Sequence, residues 1–172
     1  MVEYLDDLEL RVCLRVNALS RIVLLRRFFS GVSWLGDYPG WVILGVICAA
    51  GQGDNAIPFV LHALATAGAG IIVYKVLKKR LVRERPYVTH GEIVCGAAPL
   101  DRYSFPSGHT LHAISLTVLY GAYEPMMLIV MAPFAALVAA SRIVLGLHYP
   151  SDVLVGGTIG AALATSSIAL VS

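Results

Sequence analysis

The feature that most restricts the fold of this chain is a series of long apolar segments. Residues 57–77 form an apolar run with one charged residue, Lys75, and a membrane-spanning helix needs roughly 20 apolar residues to cross a hydrocarbon core of about 30 Å. Further apolar segments lie at residues 110–122, 126–147 and 153–171. With 58% hydrophobic and 14% charged residues, the composition differs from that of soluble globular domains. These segments predict an all-α fold, a polytopic membrane helical bundle of about five to six transmembrane helices.

The N-terminal part has a different pattern. Between Tyr4 and Leu25, apolar residues recur at helical spacing with arginines between them, which is typical of a helix lying at the bilayer surface. We therefore expect residues 1–30 to contain an N-terminal amphipathic or interfacial helix. Residues 22–35 are more apolar, but two adjacent arginines interrupt them, so the pattern leaves open whether they span the membrane.

The length of 172 residues corresponds to one domain. We expect residues 1–172 to form a single integral membrane domain whose helical core covers residues 38–171. Within that core, residues 41–51 form an apolar helix that is short for a bilayer.

Three polar clusters separate the apolar segments: residues 78–86, 106–109 and 141–152. If the segment over residues 110–122 crosses the membrane and the segment over 126–147 returns, the second and third clusters lie on the same side. No apolar segment separates the first cluster from the second. The count of crossings therefore predicts that all three clusters meet on one membrane face.

The clusters contain residue types that bind phosphate. Lys78, Arg85 and Arg142 provide positive charge, and the planar guanidinium of arginine can contact two phosphate oxygens at once. Ser107 stands where an irregular loop changes to a helix, a position from which its side chain can cap the helix. Backbone N–H groups there, including that of Gly108, attract an anion together with the positive end of the helix dipole. We expect these five residues to form a phosphate site.

Two histidines and one carboxylate add catalytic groups. His109 and His148 carry imidazoles, which act as nucleophile or general acid near neutral pH. Asp152 follows His148 by four residues, so its carboxylate can accept the other ring N–H and fix the tautomer. The logic is that of a serine–histidine–aspartate relay with histidine itself as nucleophile. Taken singly, His109 is also typical of a helix start and Asp152 of a helix cap.

The order and spacing of these residues resemble the three-part signature of the type 2 phosphatidic acid phosphatase superfamily. The matching patterns are Lys78-x6-Arg85-Pro86, Pro106-Ser107-Gly108-His109 and Ser141-Arg142-x5-His148-x3-Asp152. The resemblance covers about residues 38–171. It implies that His148 attacks phosphorus to give a phosphohistidine, that Asp152 orients it, and that His109 protonates the leaving oxygen. It also implies that the five binding residues hold the phosphate oxygens, and that the reaction uses no metal and no cofactor.

The resemblance further implies an enzyme, a metal-independent lipid phosphate phosphatase. We expect it to remove a terminal phosphate from a lipid monoester or diphosphate, with undecaprenyl diphosphate first and phosphatidylglycerophosphate, phosphatidate and lipid A 1-phosphate as further candidates. The expected partners are this lipid and the bilayer, with no nucleic acid. Two alternatives stay open: a lipid phosphotransferase that uses the same intermediate, and a non-catalytic lipid-binding or transport protein.

The resemblance also implies a bacterial inner (cytoplasmic) membrane, with the active site on the periplasmic or other extracytoplasmic face. The positive-inside rule predicts the opposite orientation, because residues 78–86 are strongly basic. Phosphate binding accounts for several of these cations, so we expect the extracytoplasmic orientation. Of the three cysteines, we expect Cys95 to be exposed.

Other polar and small residues are typical of structural roles. Lys79, Arg80 and Arg83 are expected at the basic end of a membrane helix. His62 and His112 are expected to pack or hydrogen-bond between helices. Close contacts between helices are expected at Gly68, Gly70, Gly156, Gly157 and Gly160.

Overall fold

The computed structural model describes residues 2–171, and its regular elements over those residues are helical. The α-helices are α1 (Val2–Asn17), α2 (Val23–Leu35), α3 (Pro39–Gly51), α4 (Ala56–Arg80), α5 (Pro86–Thr89), α6 (Gly108–Tyr123), α7 (Leu128–Val144) and α8 (Pro150–Val171). Short 3₁₀ turns cover Ala18–Arg21, Gly53–Asn55 and Pro125–Met127. The all-α prediction is confirmed for the described residues.

Fewer helices are long and apolar enough to span a membrane than the expected number of spans requires. Within residues 2–171, three helical segments are long and apolar enough to cross a bilayer: Gly53–Arg80, Pro125–Val144 and Pro150–Val171. Helices α2 and α3 pass the same test only together, and they are bent by 52° at their junction, so at most four segments qualify by length and composition. Helix α6 has 16 residues and is therefore about 24 Å long, less than the hydrocarbon thickness. The predicted count of five to six is thus not confirmed.

Helix α6 lies at the centre of the bundle, where it packs against α8, α7, α4 and α3. Leu111, Ala113 and Leu119 on this helix are fully buried. Small residues on α8 allow the close approach: a Cβ on Gly160 would collide with the carbonyl oxygen of Leu111, and one on Gly156 with that of Ser107. The sequence of α8 therefore allows its backbone to lie directly against α6.

The other glycines expected at helix contacts differ from one another. A Cβ on Gly70 would lie 2.9 Å from the ring of His112, so this glycine is a close contact as predicted. A Cβ on Gly157 would make an ordinary contact, 3.6 Å from Ile114. The prediction is wrong for Gly68, because no atom of another described element lies within 4 Å of the position of its Cβ.

The N-terminal helix is shorter than the pattern over residues 4–25 predicts. Helix α1 ends at Asn17, a 3₁₀ turn follows, and α2 begins at Val23. Two buried polar side chains account for the break: Asn17 and Ser20 donate to the carbonyl oxygen of Val144 at 2.9 and 2.6 Å. Such contacts compete with a continuous helix. They attach this turn to the end of α7.

A polar group that we call the distal cluster joins the ends of α4, α6 and α8 farthest from the three sequence motifs. His62 contacts the hydroxyl of Tyr123 through Nδ1 at 2.9 Å and the hydroxyl of Ser167 through Nε2 at 2.5 Å. The Thr66 hydroxyl lies 2.8 Å from that of Ser167. The predicted interhelical hydrogen bonding of His62 is thus confirmed.

Candidate active site

The three polar clusters of the sequence meet at one end of the bundle. The end of α4, the start of α6, the end of α7 and the loop between α7 and α8 surround a cavity of about 40 Å³. Six of the eight residues predicted for the site line it: Lys78, Arg85, Gly108, His109, Arg142 and His148. The remaining two, Ser107 and Asp152, are fully buried behind it.

A tight turn after α7 places His148. Gly146 has φ +72°, in the left-handed region that glycine adopts readily, and a Cβ there would lie 2.7 Å from the carbonyl oxygen of Val94. The backbone N–H groups of Leu147 and His148 both donate to the carbonyl oxygen of Arg142, at 3.0 and 3.1 Å. The turn therefore holds His148 next to the last turn of α7.

His148 and Asp152 face each other across the start of α8. Nδ1 of His148 lies 3.5 Å from Oδ2 of Asp152, slightly beyond hydrogen-bond length. Oδ2 also accepts the backbone N–H of Tyr149 at 2.8 Å. Hydrogen bonds between catalytic groups are often long before a substrate binds and shorten in the complex. The geometry is thus suited to a bond from Nδ1–H to the carboxylate.

The second ring nitrogen of His148 faces Arg85, whose Nη1 lies 3.3 Å from Nε2. A guanidinium has donors only, so Nε2 accepts through its lone pair, and the proton of the neutral imidazole resides on Nδ1. Burial, and after it the charges of Arg142 and Arg85, hold the pKa of His148 well below that of a free imidazole. His148 is therefore neutral at pH 7, and its Nε2 presents an unprotonated lone pair among cations.

Asp101 connects two of the predicted cations and was not predicted from the sequence. Its Oδ1 accepts from Lys78 Nζ at 2.6 Å and from Arg85 Nη2 at 2.7 Å. Burial raises the pKa of the Asp101 carboxyl, but the hydrogen bonds and charges of Lys78 and Arg85 outweigh burial and hold it below its usual value. Asp101 thus fixes both cations at the edge of the cavity. The one sequence feature that could have indicated Asp101 is its position in the polar stretch between the first two motifs.

Arg142 differs from the other two cations. It is 2% exposed, it forms no ion pair with any described residue, and its Nε has no hydrogen-bond partner among them. Nη1 donates to the hydroxyl of Ser33, which α2 contributes and which was not predicted from the sequence. A buried cation of this kind is compensated when an anion occupies the cavity.

The start of α6 presents His109 to the cavity. Ser107 is the N-cap of α6, and its Oγ accepts from the backbone N–H of Thr110 at 3.4 Å. Asp37, in the turn between α2 and α3, places Oδ1 against Nε2 of His109. The sequence pattern did not indicate Asp37, because it stands alone in a turn far from the motifs.

Arg83 occupies a different place from the one expected. The prediction of a basic helix end is wrong for this residue, because α4 ends at Arg80 and the side chain of Arg83 turns inward. Its Nη1 donates to Oδ1 of Asp152 at 2.8 Å, and its Nη2 donates to Oε2 of Glu9 at 2.6 Å. Arg83 matches no signature position of the first motif, so no pattern in the sequence distinguished it from the neighbouring basic residues.

An apolar groove of about 500 Å³ lies beside the cavity, between α3, α4 and α6. Trp41, Val46, Phe59, Leu64 and Leu116 are among its lining residues. The groove and the cavity share three lining residues: Asp37, Tyr38 and His112. The two spaces therefore adjoin. Over residues 2–171, no group of three or more His, Cys, Asp or Glu side chains is arranged to hold a metal ion.

Comparison with known proteins gives consistent matches. The model of the PAP2 superfamily matches residues 59–172. The decaprenylphosphoryl-5-phosphoribose phosphatase of Mycobacterium tuberculosis (strain ATCC 25618 / H37Rv) is 39% identical over 137 residues, covering 76% of this chain and 72% of that protein. The crystal structure of Aquifex aeolicus LpxE has a TM-score of 0.70 at 25% identity, covering 84% of this chain and 86% of that one.

A second solved structure, the transmembrane PAP2-type phosphatidylglycerolphosphate phosphatase from Bacillus subtilis, has a TM-score of 0.63 at 26% identity and covers 91% of this chain and 84% of that one. The family match covers more than half of the chain, and the apolar helices agree with the membrane location of these proteins. The chain therefore belongs to the PAP2 superfamily and is an integral membrane phosphatase.

Proposed function

We propose that this protein hydrolyses the phosphate monoester of a polyprenyl-linked lipid. One observation carries the proposal: three cations and a neutral imidazole surround a small cavity that adjoins an apolar groove of about 500 Å³. A phosphate in the cavity meets positive charge, and an attached tail continues into the groove. Lipid phosphates combine these two properties in one molecule.

The tail and the headgroup are inferred from the relatives. The Mycobacterium tuberculosis protein is named as a phosphatase of decaprenylphosphoryl-5-phosphoribose, a polyprenyl lipid with a phosphate on its sugar. This name favours a monoester on a polyprenyl-linked sugar over undecaprenyl diphosphate, the first candidate from the sequence alone. Both share the prenyl tail, so undecaprenyl diphosphate is the second candidate.

In the proposed first step, Nε2 of His148 attacks phosphorus. The P–N bond forms as the bond from phosphorus to the lipid oxygen breaks, and His109 donates a proton to that oxygen. Lys78, Arg85 and Arg142, with the N–H groups of the α6 start, bind the other phosphate oxygens. Asp152 accepts the Nδ1–H bond and stabilises the positive charge that develops on the imidazole.

In the second step, His109 takes a proton from water as the water attacks the phosphohistidine. The P–N bond breaks, inorganic phosphate leaves, and His148 is again a neutral imidazole. Asp37 supports both steps because its carboxylate lies against His109 and stabilises the protonated ring. The same residue thus acts first as general acid and then as general base.

We place the site on the extracytoplasmic face of a bacterial inner membrane, with α6 and the α2–α3 pair crossing together with the three long helices. Cys95 is exposed, whereas Cys13 and Cys48 are buried, and burial raises the pKa of the Cys13 thiol to about 12. A membrane-impermeant maleimide should therefore label Cys95 in intact cells. Labelling that requires detergent would place the site on the cytoplasmic face.

Phosphate release in detergent tests the function. The substrates are a polyprenyl-linked sugar phosphate, undecaprenyl diphosphate, phosphatidylglycerophosphate, phosphatidate and lipid A 1-phosphate, with His148→Ala and His109→Ala in parallel. We expect the polyprenyl-linked monoester to have the highest kcat/KM and both variants to be inactive. Activity that survives unchanged in both would refute the mechanism.

The fate of labelled phosphate tests the intermediate. Rapid acid-free quenching of a reaction with ³²P-labelled lipid should give an acid-labile, base-stable label on the protein that is missing in His148→Ala. The label should pass to free phosphate. Its appearance in a second lipid would identify a phosphotransferase instead.

A further inference from the structure

We propose that Glu9 of α1 and Arg83 are positioning residues for Asp152, so that the N-terminal helix is part of the catalytic apparatus. The inference rests on the proposed function, in which Asp152 orients His148. Neither residue lines the cavity, so both act through Asp152.

Arg83 joins α1 to the start of α8. Its Nη1 donates to Oδ1 of Asp152 at 2.8 Å and to Oγ of Ser151 at 2.7 Å, while Nη2 donates to Oε2 of Glu9 at 2.6 Å. The guanidinium also lies over the ring of Tyr149, 3.9 Å from its centroid. The hydrogen bonds of Nη1 and Nη2 hold the guanidinium in its plane, and the Tyr149 ring covers one of its faces. The group therefore has little freedom to rotate.

Glu9 completes the network from the opposite side. Its Oε1 accepts the backbone N–H of Ser151 at 2.7 Å, in the first turn of α8, where N–H groups have no partner within the helix. A carboxylate at this position also interacts favourably with the helix dipole. One side chain of α1 thus contacts both the helix that carries Asp152 and the cation that binds it.

The network determines how Asp152 is oriented. This side chain is fully buried, and an isolated charge in such a place is very unfavourable. Arg83 binds Oδ1, the Tyr149 N–H binds Oδ2, and Oδ2 is the oxygen near Nδ1 of His148. If Arg83 is lost, we expect the carboxylate to rotate or take up a proton, so that Oδ2 is no longer placed to accept Nδ1–H when substrate binds.

Kinetics of substituted proteins test this role. We expect Glu9→Gln to lower kcat about tenfold and Arg83→Gln about a hundredfold, in line with the cost of misplacing a catalytic group by about 1 Å. KM should stay within twofold, because neither residue contacts the lipid. Arg83→Lys keeps the positive charge but cannot bind Asp152 and Glu9 through two separate nitrogens, so its kcat should lie between those of Arg83→Gln and the unmodified protein.

Matched controls lie on the same elements. Asp7→Asn removes a carboxylate from α1 that is 71% exposed and pairs only loosely, at 3.8 Å, with Arg11. Arg80→Gln removes an exposed cation three residues before Arg83. Both should stay within twofold of the unmodified protein. A merely structural attachment of α1 would instead raise KM and lower thermal stability along with kcat.

A spectroscopic test needs no lipid substrate. In protein labelled with ¹⁵N-histidine, the His148 signals are assigned by their loss in His148→Asn. We expect the Nδ1–H tautomer in the unmodified protein and a larger fraction of Nε2–H in Glu9→Gln and Arg83→Gln, limited by the donor that Arg85 still presents to Nε2. An unchanged tautomer in both variants, or unchanged kcat in both, would overturn the inference. If the unmodified protein releases phosphate from no lipid, the proposed function fails, and the tautomer alone decides the role of Glu9 and Arg83.

Discussion

Two polar clusters, the partly buried distal cluster and the candidate active site, lie at opposite ends of α4, α6 and α8, and their hydrogen bonding differs. In the distal cluster, both ring nitrogens of His62 have hydroxyl partners. At the other end lies the candidate active site, the cavity lined by Lys78, Arg142 and His148, which we call the catalytic end; there some buried side-chain atoms lack a hydrogen bond of good geometry. In the described part of the chain these atoms are Asp37 Oδ1, Arg142 Nε and His148 Nδ1.

This difference in hydrogen bonding indicates a structural role for the distal cluster and a functional role for the catalytic end. A buried polar atom without a partner costs about 1 to 3 kcal/mol. Such an atom is expected where a bound phosphate supplies the partner, as for Arg142 Nε, or where binding shortens a long contact, as between His148 Nδ1 and Asp152. A cluster with every ring nitrogen bonded fixes the register of its helices. Substitutions at the catalytic end should therefore change activity more than stability, and substitutions in the distal cluster should do the reverse.

The largest effect is expected at Arg142. Arg142→Gln should lower kcat/KM about 10²- to 10³-fold, the usual cost of losing one donor to a developing oxyanion. The melting temperature in detergent should be unchanged or higher, because the substitution removes a buried cation that has no carboxylate partner. Arg142→Lys serves as control, because it keeps the positive charge but not the planar guanidinium. Its kcat/KM should lie between those of the unmodified protein and Arg142→Gln. A melting temperature that drops as steeply as activity would contradict the comparison.

Lowering the pH should destabilise the catalytic end specifically. Unfolded His148 binds a proton below its ordinary pKa of 6.5, whereas the folded residue, with a pKa lowered by burial and neighbouring cations, does not. The stabilisation is therefore present above pH 6.5 and is lost as the pH falls, by about 1.4 kcal/mol per unit. Between pH 6.5 and 5, the unmodified protein should lose more stability than His148→Asn, by at most about 2 kcal/mol. Thermal unfolding in detergent measures this, and equal losses in both proteins would refute it.

The sequence predicted the long helices and the motif residues, but not the residues that contact those motifs. The long apolar segments predicted α4, α7 and α8, because a span is a local property of composition. The motif residues were selected by spacing, and six of those eight residues line the cavity.

Single residues from distant elements escaped prediction. Glu9, Ser33 and Asp37 reach the catalytic end only through the packing of α1, α2 and the turn after α2, and one carboxylate or hydroxyl carries no spacing signal. The break after Asn17 was missed for the same reason, because a tertiary contact with the end of α7 outweighs the helical pattern. Local patterns thus predict spans and motifs, while the partners that orient the motif side chains depend on tertiary packing.

A smaller effect is expected at Asp37, which belongs to the catalytic end but lies outside the motifs. Asp37→Asn should lower kcat about tenfold, less than the loss of a general acid itself, because the amide no longer stabilises protonated His109. The melting temperature should change little. Asp54→Asn, in the exposed 3₁₀ turn at the other end of α4, is the matched control and should leave kcat unchanged. Equal kcat in Asp37→Asn and Asp54→Asn would show that Asp37 does not assist His109.

The smallest effect is expected in the distal cluster. Tyr123→Phe removes one hydroxyl and keeps the ring, which packs against Phe59 at a centroid distance of 5.0 Å. Nδ1 of His62 then loses its partner, and such interhelical hydrogen bonds contribute about 0.6 kcal/mol, at most about 1.7. The melting temperature should therefore fall by a few degrees, while kcat and KM stay within twofold because the distal cluster lies at the far ends of α4, α6 and α8. A fall in kcat of more than twofold with an unchanged melting temperature would show that the two clusters are coupled through α6. In that case, the presence of a full set of hydrogen bonds would not distinguish a structural cluster from a functional one in this bundle.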